Sequence, residues 1–172
     1  MMNSVLGVVA MTGLTATAVS AQVSTNRVAA ETDWSVFVEE SPKECWSVSA
    51  PKETLNSKDG KPVSVRRGDI LLFVTYRPGS GQGEVSFTGG YPFADGSSVD
   101  LEIGGTKFEL ITEGEWAWSS SPDDDAKIIP ALKSGTAATL SARSARGTRT
   151  LDTFSLLGVS SAIDTAAKHC AG

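Results

Sequence analysis

The sequence has few of the side chains on which metal sites and nucleophilic active sites depend. Its 172 residues include one histidine, His169, and two cysteines, Cys45 and Cys170. One histidine and two cysteines cannot complete an ordinary four-ligand zinc site without carboxylates. A cysteine in a disulfide is also unavailable as a nucleophile. We therefore expect no metal site and no cofactor.

The chain also lacks an excess of basic residues. It has 15 Lys and Arg against 20 Asp and Glu, a net charge of −5. Residues 22–125 carry 9 basic and 18 acidic side chains (−9), whereas residues 126–172 carry 6 and 2 (+4). Nucleic-acid-binding domains are basic overall, so no nucleic acid partner is expected. The two oppositely charged parts should attract each other within one domain.

No charged side chain occurs in the first 21 residues. The segment from Val5 to Val19 is mostly apolar, and Val19-Ser20-Ala21 is a small-residue cleavage pattern, so residues 1–21 are predicted to be a signal peptide. The apolar segment is shorter than the roughly 20 residues of a spanning helix, which makes an uncleaved anchor the less favoured alternative. The sequence predicts a periplasmic, secreted or cell-surface protein without a membrane span after cleavage.

The predicted mature chain is long enough for one domain. Removing 21 of the 172 residues leaves 151, which can bury a sizeable core. Residues 22–32 are polar and lack periodicity, which predicts a flexible leader before a single domain over residues 33–172. Because an exported chain with two cysteines most economically closes one internal bridge, Cys45 and Cys170 are predicted to be joined.

Short strands account for the first half of this domain. Alternating apolar and polar residues predict strands at 34–38 and 45–49, and the apolar run 69–76 predicts the central strand. Residues 50–62 are rich in turn-forming and polar residues, which predicts a surface loop. The segment Gly79–Gly83 resembles a phosphate-binding loop, but a strand pattern rather than a helix follows it, which favours a hairpin connection.

A second hairpin is predicted around Gly104-Gly105, a pair suited to a two-residue turn. The register of this hairpin places two apolar couples on the buried face and two charged couples on the wet face, namely Leu101–Phe108, Val99–Leu110, Glu102–Lys107 and Asp100–Glu109. The couple of Asp100 and Glu109 is mildly unfavourable, and neighbouring groups or solvent must relieve it.

Residues 115–118 predict another strand with the indoles of Trp116 and Trp118 on one face. The favoured interpretation places both indoles in the core, and the alternative uses them as stacking faces for a small ligand or glycan. The following Ser121–Asp125 predicts the start of a helix over about 122–133, which Pro130 limits and which ends at Lys133-Ser134-Gly135. A calcium site is the less favoured interpretation of its three aspartates, because the EF-hand spacing is missing.

A last hairpin, over residues 136–143 and 149–156, is predicted to lead into a closing helix near 160–170 that begins at Ser160 or Ser161. The turn at 158–162 loosely resembles the nucleophile elbow of serine hydrolases. However, His169 lies nine residues along the same helix, about 13 Å from Ser160 at ~1.5 Å per residue, and cannot act as its base. We therefore expect no catalytic residue and no enzymatic activity.

Taken together, these motifs resemble the invasion-associated locus B family of alphaproteobacterial envelope proteins. The most specific motif is Asp152–Gly158, DTFSLLG, with the closing Ala-rich helix that ends in a cysteine. Weaker matches, which extend the resemblance over nearly the whole mature domain, are Trp34, Cys45, 49–51, 99–103, 108–110, 117–118, 132–135 and 147–148. A phenylalanine often follows the glycine of the main motif, where this chain has Val159.

The resemblance implies an all-β, immunoglobulin-like β-sandwich and a role in the envelope, linked in pathogenic members to host-cell entry. We expect a non-enzymatic protein that binds another envelope protein or a host-surface protein through an exposed edge strand or loop. The candidate loops are Lys52–Lys61 and Pro78–Gly83. The alternative is a periplasmic module that binds a small ligand or glycan at Trp116 and Trp118.

Overall fold

The computed structural model describes residues 25–171, so the predicted signal peptide lies outside the described residues. The two helices are α1 (Pro122–Ser134) and α2 (Val159–Cys170). The strands, in chain order, are β1 (Arg27–Glu31), β2 (Trp34–Glu40), β3 (Lys43–Ser49), β4 (Glu53–Lys58), β5 (Lys61–Pro62), β6 (Leu71–Tyr76), β7 (Glu84–Thr88), β8 (Ser98–Ile103), β9 (Thr106–Glu113), β10 (Trp116–Ser119), β11 (Ala137–Arg143) and β12 (Arg149–Ser155). None of the described helices is long and apolar enough to cross a membrane.

All strand pairs are antiparallel, and hydrogen bonds join them in the order β1-β2-β3-β6-β7-β10-β9-β8-β11-β12-β4-β5. The sheet folds over on itself, because the ring of Phe87 on β7 meets the ring of Phe154 on the distant β12 edge-on at 6.2 Å. Both rings are fully buried. The all-β, sandwich-like fold with two short helices that the sequence predicts is confirmed.

The hairpin of β8 and β9 has the predicted register. Its four couples are Leu101–Phe108, Val99–Leu110, Glu102–Lys107 and Asp100–Glu109. The turn residues Gly104 and Gly105 have φ angles of 56° and 83°, which L side chains rarely adopt. The turn and the alternating apolar residues therefore fix the same pairing.

Two segments predicted to be irregular form strands. Within the predicted flexible leader, Arg27–Glu31 pairs with β2 as an edge strand. Within the predicted loop at 50–62, β4 pairs with β12, and β5 turns back onto β4. Both expectations were wrong for these residues, because the strands are mostly exposed and carry little apolar alternation. Backbone hydrogen bonds to neighbouring strands hold them in place, and these bonds leave no periodic signal in the sequence.

Helix α1 begins and ends where predicted, over Pro122–Ser134 with Gly135 as its C-cap, but Pro130 does not limit it. Ser121 is its N-cap and accepts a hydrogen bond from the backbone N–H of Asp124. Pro130 lies inside the helix, which continues to Ser134, so its predicted role as the limit is wrong. Leu132, beyond the proline, is fully buried. The packing of this last turn offsets the hydrogen bond that the proline removes.

Helix α2 begins one residue before the predicted serines. Its N-cap is Gly158, with a φ of 88° and no side-chain cap. A Cβ atom at this position would lie 2.0 Å from the carbonyl oxygen of Glu31, so only glycine lets the chain pass β1 this closely. The Ser160 hydroxyl instead donates a hydrogen bond to the carbonyl of Lys133 at 2.9 Å and ties α2 to α1.

The predicted disulfide between Cys45 and Cys170 is confirmed. Cys45 lies on β3 and Cys170 is the last residue of α2, with a Cα–Cα distance of 5.8 Å. Both cysteines are buried, as are Ile163 and Ala166 on the same stripe of the helix. The bridge fixes the closing helix to the N-terminal part of the sheet.

A buried ion pair joins β12 to the segment before β6. The guanidinium of Arg67 donates two hydrogen bonds of 2.7 Å to the carboxylate of Asp152 and one of 2.9 Å to the carbonyl of Gly89. The side chains of Arg67 and Asp152 are 6% and 0% exposed. Burial raises the pKa of Asp152, and the hydrogen bonds from Arg67 act in the opposite direction. The sequence gives no sign of this pair, since its residues are 85 positions apart.

Candidate functional site

A row of aromatic side chains crosses the outer surface of one half of the sheet. We call it the aromatic face, and its members are Phe37, Trp46, Phe73, Trp116 and Trp118. Each ring alternates along its strand with buried neighbours, such as Val36 and Val38 on β2 and Ala117 on β10. Because successive side chains of a strand point to opposite faces, the rings lie on the surface opposite to the core.

The rings form a nearly continuous series. Phe37 and Trp46 stack with centroids 5.7 Å apart and an interplanar angle of 10°. The ring of Phe73 meets Trp116 at 5.7 Å, and Trp116 stacks against Trp118 at 6.3 Å and 21°. Aromatic pairs at such separations attract each other beyond the burial of their area. The series therefore forms one ordered surface that extends from β2 to β10.

The indoles predicted to be in the core lie on this surface, so the favoured interpretation was wrong. Trp116 is 40% exposed, Trp118 is partly exposed, and Ala117 between them is fully buried. The large ring of Phe87 lies directly across from Ala117 in the sheet, and both side chains are fully buried on the inner face. The strand therefore has the predicted alternation of side chains, but Ala117 faces the core and the two indoles face outward.

The aromatic face continues onto β9 through an aliphatic residue. Ile111 is directly opposite Trp118, and 51% of its surface is exposed. Toward β3, a shallow groove of about 320 Å³ lies between Trp46, Phe73, Trp116 and Trp118, with the hydroxyl groups of Thr75 and Ser86 in its lining. A surface with flat rings, a groove and a few hydroxyl groups is suited to recognition of a ligand or partner.

A charged group borders this groove. Arg77 Nε donates to Glu44 at 2.5 Å, and its Nη1 donates to Glu84 at 3.3 Å. The hydrogen bond with Glu44 raises the pKa of Arg77, so this side chain remains a cation. One arginine thus bridges two carboxylates at this end of the aromatic face, and the group of three side chains keeps one net negative charge.

The residues considered for catalysis do not come together. The Ser160 hydroxyl donates to a backbone carbonyl, while His169 is exposed near the end of α2. Over residues 25–171, no cluster of three or more histidine, cysteine or acidic residues could hold a metal ion.

The three aspartates at the start of α1 serve the helix and its packing. Asp124 accepts hydrogen bonds from Ser120, Ser121 and Lys127, which lower its pKa to about 2. The buried Asp125 accepts a hydrogen bond from the backbone N–H of Val85 on β7. These contacts support the predicted helix start over the calcium interpretation.

The two loops predicted to bind a partner have different surroundings. Residues 52–61 mostly form β4 and the turn to β5, so they are part of the sheet. Residues 78–83 connect β6 to β7 as the predicted hairpin. Within this connection, the Ser80 hydroxyl donates to the carbonyl of Arg77, and the side chain of Gln82 donates to the carbonyl of Pro122 at the start of α1. Neither segment has the exposed aromatic area found on the aromatic face.

No protein-family model and no curated protein matches this sequence. Among solved structures, the crystal structure of invasion associated protein B from Bartonella henselae matches with a TM-score of 0.55 and 16% sequence identity. The match covers 81% of this chain and 95% of that chain. At this identity the match concerns the fold, and it agrees with the fold expected from the sequence motifs. The chain therefore has a fold similar to that of invasion associated protein B.

Proposed function

We propose that this chain is a non-enzymatic, exported envelope protein that binds a protein partner through the aromatic face. The observation that carries the proposal is the partial exposure of stacked rings over adjacent strands. Tryptophan and other aromatic residues are enriched in protein interfaces, where a few of them supply most of the binding energy. The salt-linked rim at Arg77 resembles the polar border of such interfaces.

Export is supported by two independent features. Residues 1–21 have the pattern of a signal peptide, and the Cys45–Cys170 disulfide is of a kind that persists in oxidising compartments. The partner is another envelope protein or, in an organism that enters host cells, a host-surface protein. The second possibility follows the association of the resembled family with host-cell entry.

Replacement of Trp116 with alanine is expected to weaken partner binding strongly. A central, partly exposed indole commonly contributes 2 kcal/mol or more, which is a loss of about 30-fold or more in affinity. The partner is first identified by crosslinking the oxidised protein in its native envelope, and the purified pair is then titrated. Leu55→Ala is the matched control, since Leu55 on β4 is an exposed apolar residue outside the aromatic face. Equal affinity of the Trp116→Ala variant and the wild-type protein would refute the proposed interface.

The second candidate is a module for a small ligand or glycan. The observation in its favour is the stacked, partly exposed pair of Trp116 and Trp118, since sugars pack their apolar faces against indoles. Acrylamide should quench the emission of Trp116, and envelope sugars should leave that emission unchanged if the partner is a protein. A Trp116→Phe variant keeps the buried Trp34, which is 1% exposed, and the partly exposed Trp46 and Trp118, so its difference from the wild-type protein gives the response of Trp116. A saturable change of emission on sugar addition, lost in that variant, would favour the glycan module.

A further inference from the structure

The charges on the two sides of the aromatic face are not equivalent. On the β9 side, Glu109, Ile111 and Glu113 alternate with inward-facing residues, so their side chains form one outward row. Glu113 lies directly opposite Trp116, and Ile111 lies directly opposite Trp118. The aromatic face thus borders on two carboxylates at this side.

Glu109 and Glu113 lack the direct ion pairs found at the other side. The cation in their own row, Lys107, lies two positions before Glu109 and pairs with Glu102 at 3.8 Å. Arg77 bridges Glu44 and Glu84 beside Trp46, whereas neither Glu109 nor Glu113 forms an ion pair with any described residue. In addition, Asp100 lies directly opposite Glu109 on β8, a like-charge couple that destabilises the sheet. Asp100 shares a groove with Arg143 and Arg149 of β11 and β12, whereas Glu113 lies opposite Trp116 on β10.

We infer that the partner segment that binds the aromatic face carries arginine, and that Glu109 and Glu113 receive its guanidinium groups beside Trp116 and Trp118. This inference rests on the proposed function and specifies the chemistry of the partner. A guanidinium is planar, stacks on aromatic faces and donates to carboxylates, so it satisfies both kinds of group at once. Arg77 makes the carboxylate contacts of this kind within the chain, between Glu44 and Glu84 at the border of the groove.

The same charges disfavour two other occupants of this surface. An acidic segment would be repelled by Glu109 and Glu113, and like charges across an interface oppose association. A second copy of the chain would bring the same carboxylates toward each other in a symmetric dimer whose two-fold axis passes through the β9 side of the face. The arginine-bearing segment alone among these removes the repulsion between Asp100 and Glu109 on binding.

The first experiment uses two capped hexapeptides, one that alternates leucine with arginine and one that alternates leucine with glutamine. Each is titrated into the oxidised full chain, with tryptophan emission and calorimetry as readouts. The arginine peptide should bind about tenfold more tightly, since two exposed charge pairs contribute up to ~1 kcal/mol each. This difference should largely disappear in about 1 M salt, where the screening length is only ~3 Å. If the arginine peptide binds no more tightly than the glutamine peptide, or if neither binds, the inference is overturned.

The second experiment locates the charges that matter. The double variant Glu109→Gln with Glu113→Gln should lose the about tenfold preference for the arginine peptide and retain the affinity for the glutamine peptide. Glu102→Gln is the matched control, because Glu102 lies on the same outer face but already pairs with Lys107 at 3.8 Å. Retention of the full preference in the double variant would also overturn the inference.

A stability measurement separates a binding role of Glu109 from a structural one. Because Asp100 opposes Glu109, the Glu109→Gln variant should unfold at an equal or higher denaturant concentration than the wild-type protein. A clear drop would assign Glu109 to the fold and contradict the inference. If only the preference for arginine fails, the proposed function still stands. That function is tested separately, by whether the Trp116→Ala variant loses affinity for the purified partner.

Discussion

Replacement of Asp152 with alanine is expected to lower the free energy of unfolding by about 3–5 kcal/mol, the usual cost of breaking a buried ion pair. The carboxylate is fully buried and receives both terminal nitrogens of Arg67. Without it, a guanidinium that is 6% exposed would remain charged inside the fold, with hydrogen bonds only to the carbonyl of Gly89 at 2.9 Å and to the Asn56 side chain at 3.4 Å. Denaturant unfolding of the wild-type protein and the variant measures the difference.

The large loss of stability expected for Asp152→Ala follows from the chain segments that the ion pair of Arg67 and Asp152 connects. Arg67 lies 4.9 Å from the ring centre of Tyr91, and the Tyr91 hydroxyl is hydrogen-bonded to Thr150 on β12 at 2.6 Å. The loss of Asp152 therefore disturbs three chain segments that are remote in sequence. Desolvation also raises the pKa of Tyr91, so its hydroxyl remains protonated at neutral pH and keeps this contact.

Two controls distinguish burial from simple loss of charge. Lys133→Ala removes the exposed pair of Lys133 and Asp164 and should cost at most about 1 kcal/mol. The double variant Arg67→Met with Asp152→Leu, which replaces both charges by apolar groups, should recover much of the stability lost in Asp152→Ala. A cost below about 1 kcal/mol for Asp152→Ala would show that the pair contributes no more than a surface pair.

Removal of the disulfide in a Cys45→Ala, Cys170→Ala double variant is the second large expected effect. The bridge closes a loop with a sequence separation of 125, and its removal should cost about 2–5 kcal/mol, mainly through the greater freedom of the unfolded chain. Changing both cysteines avoids a free thiol that could form other bridges. The measurement is again the free energy of unfolding, compared with the wild-type protein with and without a reductant.

Two measurements on the native protein test the disulfide and its effect on the closing helix. Alkylation and mass measurement of the exported protein should detect no free thiol, and free thiols would contradict the bridge. Hydrogen exchange should increase most in α2, because the bridge fixes the last turn of this helix to β3. The aromatic face lies on the opposite surface of β3, so peptide binding should be retained at a temperature where the double variant is folded.

The sequence was most informative where a local rule was sufficient. The Gly104-Gly105 turn and the alternating residues beside it define the whole register of β8 and β9, because a one-residue slip would reverse both faces. Ser121 and Asp124 define the start of α1 through hydrogen bonds within a single turn.

Local rules failed where a contact with a distant segment decides the conformation. β4 is a polar segment that pairs with β12, with Leu55 opposite Leu151. The turn of α1 beyond Pro130 persists through the burial of Leu132. In both cases long-range packing and pairing outweigh the local preference, and the sequence around the residue contains no record of either.

The sequence by itself determined the all-β class, the two helices, the turn between β8 and β9 and the pairing of Cys45 with Cys170. Each of these depends on residue types and spacings within a short segment, or on there being just two cysteines to join. Only the tertiary structure decided that Arg67 meets Asp152 and that Trp116 and Trp118 lie outside the core. Alternation separates the two faces of a strand, but packing against neighbours such as Phe87 determines which face is buried.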